Sequence, residues 1–431
     1  MNFIKNKNRN ELTNFYLLQL GQFISQIGSK MTSFSLVLWL YAESGSVLSV
    51  SILSICSVLP SIVLSFIAGS ISDKWDKKKI MLVSDSIAAM FSVLVLALLI
   101  NDSLRIEHLY VINTILSITD AFQNPASEVA ISLIVKKENY MKISGVRSFC
   151  NSFITIFTPM VATSIYAFGG LKTIIMVDFI TFIIAYCTLA FLVAIPKYIV
   201  LEKYESIVLS SKQGIQYIIN EKGILDLILF MWFINLIAAM YNNNLAPMVL
   251  SRNGYNEIQL GIVSASVGVA GFIGSLFVTK QSDKVKRIPR ILNIMSFSFL
   301  VCNNMLGFGR NYYVWTLAVL LGNCCVPILI ANVEYIMRTK IPIQMQGRVF
   351  SARNTLQYGS IPLGYALGGI IVDKILEPFM KHPSMLQNQL GNLVGEGKGS
   401  GIAVLYILLG MIGFLGCCIF RFNKELRQLD D

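Results

Sequence analysis

Charge is scarce in this chain. Asp, Glu, Lys and Arg make up 14% of its 431 residues, where a soluble domain carries about 25%. With 55% hydrophobic residues beside that shortage, a soluble globular domain is excluded. Histidine is scarcer still: there are two, His108 and His382. No Cys-x-x-Cys pair accompanies them, so no metal site is expected. The eight Cys all fall within apolar stretches, which argues against a disulfide framework. A Walker loop is missing. The stretch Gly395-Glu396-Gly397-Lys398-Gly399-Ser400 is glycine-rich, but its spacing is wrong for phosphate binding, and ATP use is not expected. No clustered acid, base or metal set marks an enzyme, and no cofactor is expected. The opening Met1 to Asn10 is too polar, and the apolar run after it too long, for a cleaved signal peptide.

Apolar length is what the chain has in plenty. A bilayer core of about 30 Å needs roughly 20 apolar residues per helix. Twelve such spans are predicted, near 15–41, 48–71, 80–100, 109–133, 144–168, 173–195, 225–249, 258–279, 291–308, 314–337, 350–372 and 401–420. They are helices, because a spanning backbone must satisfy its own hydrogen bonds, and they are too long and too uniformly apolar for barrel strands. The expectation is an all-α membrane protein: two six-helix bundles, 1–195 and 225–431, that repeat one another weakly, joined by a polar linker, 196–224. Within the linker, Ser210 to Asn220 reads as a short amphipathic helix on the membrane surface. Segment 373–400, with Pro378, Pro383 and four glycines from Gly391 to Gly399, reads as a long irregular loop.

The net charge of +11 is spread over many short connections. Basic residues outside the spans cluster in alternate connections. The other set holds only Arg105, Lys172, Arg252, Arg310, Lys374, Lys381 and Lys398. By the positive-inside rule both termini are then cytoplasmic, in a multi-pass protein of a bacterial plasma membrane. The same charge reads as attraction to anionic lipid, with no nucleic-acid partner. The densest cluster lies between the second and third spans, with Gly69, Asp73, Lys74, Asp76, Lys77, Lys78 and Lys79 in one tight turn. Topology explains the lysines but not Asp73, which weakens that signal.

The spacing Gly69-x-x-x-Asp73-Lys74-x-x-Lys77-Lys78 resembles the signature loop between helices 2 and 3 of the major facilitator superfamily. Asp76 stands where that signature usually has Gly. With Ser84-Asp85 downstream, Leu20-Gly21-Gln22 and Gly28-Ser29 in the first span, and Gln346-Gly347-Arg348-Val349-Phe350 before the eleventh, the chain looks like the macrolide-efflux type of drug exporter. The resemblance implies the major facilitator fold, with helices 1, 4, 7 and 10 around a cavity. It also implies a conformational role for the loop residues Gly69, Asp73, Lys74, Lys77 and Lys78 and for Asp85. Two departures from proton antiporters stand out. Leu116 and Thr119 occupy the positions of an Arg and a Gly in the fourth helix, and Thr158-Pro159 in the fifth keeps the Pro without its glycines.

Polar residues in those four spans form stripes. Gln22, Ser25, Gln26, Ser29, Lys30 and Ser33 fall within roughly 140° of one helix face. Asn113, Ser117, Asp120 and Asn124 line another, and Asn235 with Asn242, and Asn323 with Glu334, share faces of the seventh and tenth spans. Gln22, Gln26, Asn113, Asn235 and Asn323 are the cavity candidates. A charge at mid-membrane costs at least about 2.5–3.5 kcal/mol, so such residues mark function or a fixed pair. Asp120, Lys30, Glu128 and Glu334 are the proton-coupling candidates. Asp120 and Lys30 lie at similar depth, within reach of a switching or a static pair. The expected function is efflux of small amphipathic molecules, drug-like or self-made, by a monomer that uses alternating access and protons as coupling ion. An uptake symporter of the same fold and a non-transporting receptor are the alternatives.

Overall fold

In the computed structural model, residues 11–136, 139–196, 207–279 and 286–430 are described, and the side chains of Gly69, Asp73 and Lys74 lie outside the described residues. Those described residues hold helices and no strand. In order they are α1 (Glu11–Ser44), α2 (Val47–Lys74), α3 (Lys77–Ile100), α4 (Ile106–Ile134), α5 (Tyr140–Cys187), α6 (Ile207–Asn220), α7 (Lys222–Arg252) and α8 (Glu257–Thr279). There follow α9 (Arg287–Phe297), α10 (Asn304–Phe308), α11 (Tyr312–Lys340), α12 (Ile343–Tyr358), α13 (Ser360–Ile370), α14 (Glu377–Lys381), α15 (Met385–Val394), α16 (Ser400–Arg421) and α17 (Lys424–Arg427).

Nine helical stretches among the described residues are long and apolar enough to cross a membrane. One of them, Lys142–Leu192, runs through a turn at Gly170, where φ is 64° and ψ −172°. Glycine favours that conformation, and it separates the predicted spans 144–168 and 173–195. Neither α1 nor α4, the helices with the longest polar stripes, is among the nine. The expected twelve spans are thus reached only by dividing α5 and admitting α1 and α4.

The chain packs as two compact units. The first comprises residues 1–36 and 56–203, the second 37–55 and 204–431. In the first unit, Asp76 caps α3, its side chain accepting from the Lys78 and Lys79 N–H groups. Pro60 interrupts α2, and the neighbouring Ser61 N–H is taken by Ser117 Oγ of α4 at 3.1 Å. A proline disturbs the helix ladder just there, and a hydroxyl from another helix repairs it. Gly28 lets α1 approach the second half of α5. A Cβ there would stand 2.8 Å from Asp178 Oδ1 and 2.2 Å from Thr181 Oγ1.

In the second unit, Gly364 brings α13 onto α7 and Gly274 brings α8 onto α11. A Cβ at either would meet a carbonyl oxygen, of Leu236 at 2.6 Å and of Cys324 at 2.4 Å. Close backbone approach at small residues is the usual means of packing helices in lipid. The amphipathic segment α6 packs on α12, with Gly214 against the Arg348 carbonyl and Ile218 fully buried.

Segment 373–400 corrects an expectation. It is mostly helical, not irregular. The helix from Ser360 runs on through a widened turn, Ile371–Leu376, into α14, and Ser384 caps α15 through the Gln387 N–H. Pro378 follows just after that widened turn, and the helix runs on past it to Lys381. The left-handed glycines 395, 397 and 399 are confined to one short turn before α16.

The end of α1 and the start of α2, residues 37–55, pack with the second unit. Asp373 accepts from Ser46 Oγ at 2.6 Å, from the Val47 N–H at 3.2 Å and from the Leu48 N–H at 2.8 Å. Ser46 Oγ in turn accepts the Ser49 N–H. The first N–H groups of α2 are therefore capped by a carboxylate distant in sequence. Asn243 of α7 bonds both Ser51 and Ser54, at 2.7 and 2.9 Å.

Candidate functional site: a pocket in the second unit

A cavity of about 240 Å³ opens within the second unit, between α7, the α9–α10 helix, α11 and α12. Its wall includes Asn235 and Tyr241 from α7, Cys302 and Asn303 from the widened turn Ser298–Asn303, Asn323 and Glu334 from α11, and Arg353 and Gln357 from α12. Three residues singled out from sequence, Asn235, Asn323 and Glu334, therefore meet in one place. The rest of the lining is apolar, with Met231, Ile234, Phe299 and Ile330. A mostly apolar cleft with a few placed polar groups is how proteins hold small molecules.

The polar groups differ in how they are occupied. Asn323 Nδ2 donates to the Val319 carbonyl, and its side chain hydrogen-bonds with that of Tyr241. Asn235 Nδ2 reaches the Gln357 carbonyl at 3.4 Å. Asn303 is 5% exposed and its Nδ2 has no partner among the described residues. An unpaired buried amide costs free energy, about 1–3 kcal/mol, which a bound acceptor would recover. Asn303 sits on a π turn, a distortion that recurs at functional sites. At one end of the pocket Arg353 Nη1 donates to Glu334 Oε1 at 2.7 Å, and Arg338 approaches the other carboxylate oxygen at 3.5 Å. The Arg353 side chain is 12% exposed and that of Glu334 33%. Arg353 also lies over the Phe350 ring.

The candidates of the first unit are spread more widely. Lys30 and Asp120 are both exposed and form no direct ion pair. In this structure Lys30 acts on Asp120 as a charge at longer range. The stripe on α4 is partly used in holding α2. Asn113 Oδ1 accepts from Ser57 at 3.1 Å, its Nδ2 donates to the Leu109 carbonyl, and Ser117 serves Ser61. Gln22 is half-buried and Gln26 exposed. Glu128 is in an exposed ion pair with Arg147. Asp178 is a junction of three helices, accepting from Thr32 of α1 at 2.9 Å and, more weakly, from Ser29 and from Ser92 of α3. One oxygen of the buried Asp85 accepts from Gln123 at 2.6 Å, and the other has no partner among the described residues.

In the loop before α3, Lys77 is buried and donates to the Trp75 carbonyl. Lys78 donates to the carbonyls of Ala190 and Val193, at 3.0 and 2.7 Å, and so caps the end of the π turn that follows α5.

A family model of the Major Facilitator Superfamily matches residues 18–365. The chain belongs to that superfamily. It is therefore a multi-pass membrane protein of a transporter family, with an all-helical fold. Macrolide efflux protein A of Streptococcus pyogenes is 25% identical over 370 residues, 84% of this chain and 90% of that protein. The protein of the same name from Enterococcus faecalis is 26% identical over 330 residues, 74% of this chain and 99% of that one. Among solved structures, the nucleoside transporter NupG is 11% identical, with a TM-score of 0.69 over 95% of this chain and 99% of that one. A bacterial homologue of the iron transporter ferroportin, in an inward-facing state, is 13% identical, with a TM-score of 0.69 over 96% of this chain and 100% of that one.

Against the superfamily's signature loop, Asp76 in place of Gly has a plain structural use, since it is the cap of α3. Sequence reasoning gave no place to Asn303 or Cys302, because the ninth helix is not among those the resemblance sets around a cavity. It named Glu334 as an anion within a span, but not its partner Arg353. An acid and a base in successive spans, each too costly to leave alone in lipid, were the available signal.

Proposed function

We propose that this superfamily member is a secondary exporter of small amphipathic molecules, drug-like or made by the cell itself, and that the pocket at Asn235, Asn303 and Asn323 binds the cargo. The observation that carries the reading is a mostly apolar cleft holding a buried, unpartnered amide and an ion pair at one end. The names of the macrolide efflux relatives support the cargo class and the outward direction. Both termini are cytoplasmic, with the lysines between α2 and α3 on that side. Protons are the counter-ion. Glu334 is the foremost coupling group because it lines the pocket, pairs with Arg353 and is still a third exposed, and Asp120 with Lys30 is the second candidate. The bundles alternate access to the two sides as a monomer.

The test is susceptibility profiling of cells with and without the protein across chemical classes, followed by transport of the best compound in inverted vesicles under an imposed pH gradient. The expected result is gradient-dependent accumulation that Ala238→Phe, which fills the pocket from α7, abolishes. Accumulation unaffected by both the gradient and Ala238→Phe would refute the proposed pocket and coupling together.

A further inference from the structure

A second cavity, of about 250 Å³, lies elsewhere in the second unit, where α9 begins and α16 ends. Three cations line it: Lys286, Arg421 and Arg427. Ile288, Pro289 and Leu292 form an apolar floor, and among the described residues Asp430 is the one carboxylate in the lining. Asp430 is already engaged. Its two oxygens accept the Arg287 and Ile288 N–H groups at 2.8 and 2.9 Å, so it caps α9.

The two guanidinium groups are positioned by the fold. Arg421 donates to Asn293 Oδ1, and Arg427 Nε donates to the Arg421 carbonyl at 2.6 Å. Each keeps further N–H groups free of those bonds, in the planar fork that suits a phosphate. Lys286 is exposed beside them. Among the described residues the hollow is lined by three positive charges and one negative charge, and the negative one is turned to a helix end.

The hollow adjoins an apolar surface. Ser400–Arg421 is one of the membrane-spanning stretches, and Arg421 ends it. Just before and after Arg421, Ile419 is 70% exposed and Phe422 78%. An aromatic and a cation at the end of a span mark the level of lipid headgroups. A soluble anion would use the cations and leave the apolar surface bare. A lipid uses both.

We propose that this cavity binds the phosphate of an anionic glycerophospholipid, with its acyl chains lying along α16. The site is separate from the cargo pocket and does not depend on what that pocket carries. Membrane-facing basic pockets beside helix ends select anionic headgroups by charge.

The experiment is native mass spectrometry of the purified full chain after addition of phosphatidylglycerol or phosphatidylcholine, with and without millimolar inorganic phosphate. The expected result is a phosphatidylglycerol adduct retained at least about fivefold over phosphatidylcholine, untouched by phosphate, and lost to a similar degree in Arg421→Gln/Arg427→Gln. Since those arginines also make hydrogen bonds within the protein, Lys286→Gln is the second variant. It should weaken retention at unchanged thermal stability. Equal retention of the two lipids, or of phosphatidylglycerol by both variants, would overturn the proposal. Displacement by inorganic phosphate would overturn the lipid assignment and leave a soluble-anion site.

Discussion

Replacing Asp373 by Ala should free the hairpin of residues 37–55 from its seat in the second unit. The carboxylate holds one hydroxyl and two N–H groups at the start of α2. Loss of a helix cap costs about 1 kcal/mol, a partly buried charge at a helix N-terminus adds up to about 2, and a hydrogen bond to a charged group about 1.5–3. These overlap, since the same two oxygens supply all of them. A net loss of about 2–3 kcal/mol is the working value, which multiplies the open population of the hairpin roughly 30- to 150-fold. Val50 is 1% exposed, so a Val50→Cys probe reports opening and little else. Its maleimide labelling rate, read on the tryptic peptide 31–74 in a Cys56→Ser background so that no native cysteine shares that peptide, should rise by that factor when Asp373→Ala is added. Local opening of this kind sets the rate when closing is fast. Asp373→Asn keeps an acceptor and loses the charge, and should lie between. A probe labelled within twofold of the parental rate in the Asp373→Ala background would refute the capping argument.

Three further outcomes are expected. Glu334→Gln leaves the largely buried Arg353 without its anion and should lower stability by about 1–3 kcal/mol, less than for a fully buried pair because Glu334 is partly exposed. Thermal melts of Glu334→Gln/Arg353→Met should recover most of that loss. Gly28→Ala sets a methyl against Asp178 and Thr181 and should cost about 1–3 kcal/mol, seen as a lowered melting temperature. Ser117→Ala strips the Ser61 N–H of its partner beside Pro60 and should cost about 1–2 kcal/mol in the same measurement.

The spans were legible because apolar length is read directly from composition, and the family because the turn at Gly69 to Asp85 keeps its spacing. Boundaries failed where one residue type has two uses. Pro378 and the glycines from Gly391 on suggested an irregular loop, yet Pro378 sits in a helix that runs on past a widened turn and the left-handed glycines are gathered in a single turn. Periodicity found Asn235, Asn323 and Glu334, because helical faces follow from spacing alone. It could not separate Asn113, engaged with Ser57, from a cavity residue, since both uses demand the same stripe. Pairing was beyond it: Glu334 with Arg353 and Asp430 with the start of α9 are contacts between helices, and no single-helix pattern encodes them.

The widened turn at Ser298–Asn303 gives the ninth helix a slack residue just where it borders the pocket lined by Asn235 and Asn323. In an ordinary α-helix, losing one residue swings everything beyond it by about 100°. Here a deletion could instead draw the loose turn back to regular pitch, while Gly307 kept its seat against Ala403 and Ile407. The lining of the pocket can therefore evolve through a change in chain length as well as by exchange of side chains, with the rest of the bundle left in register.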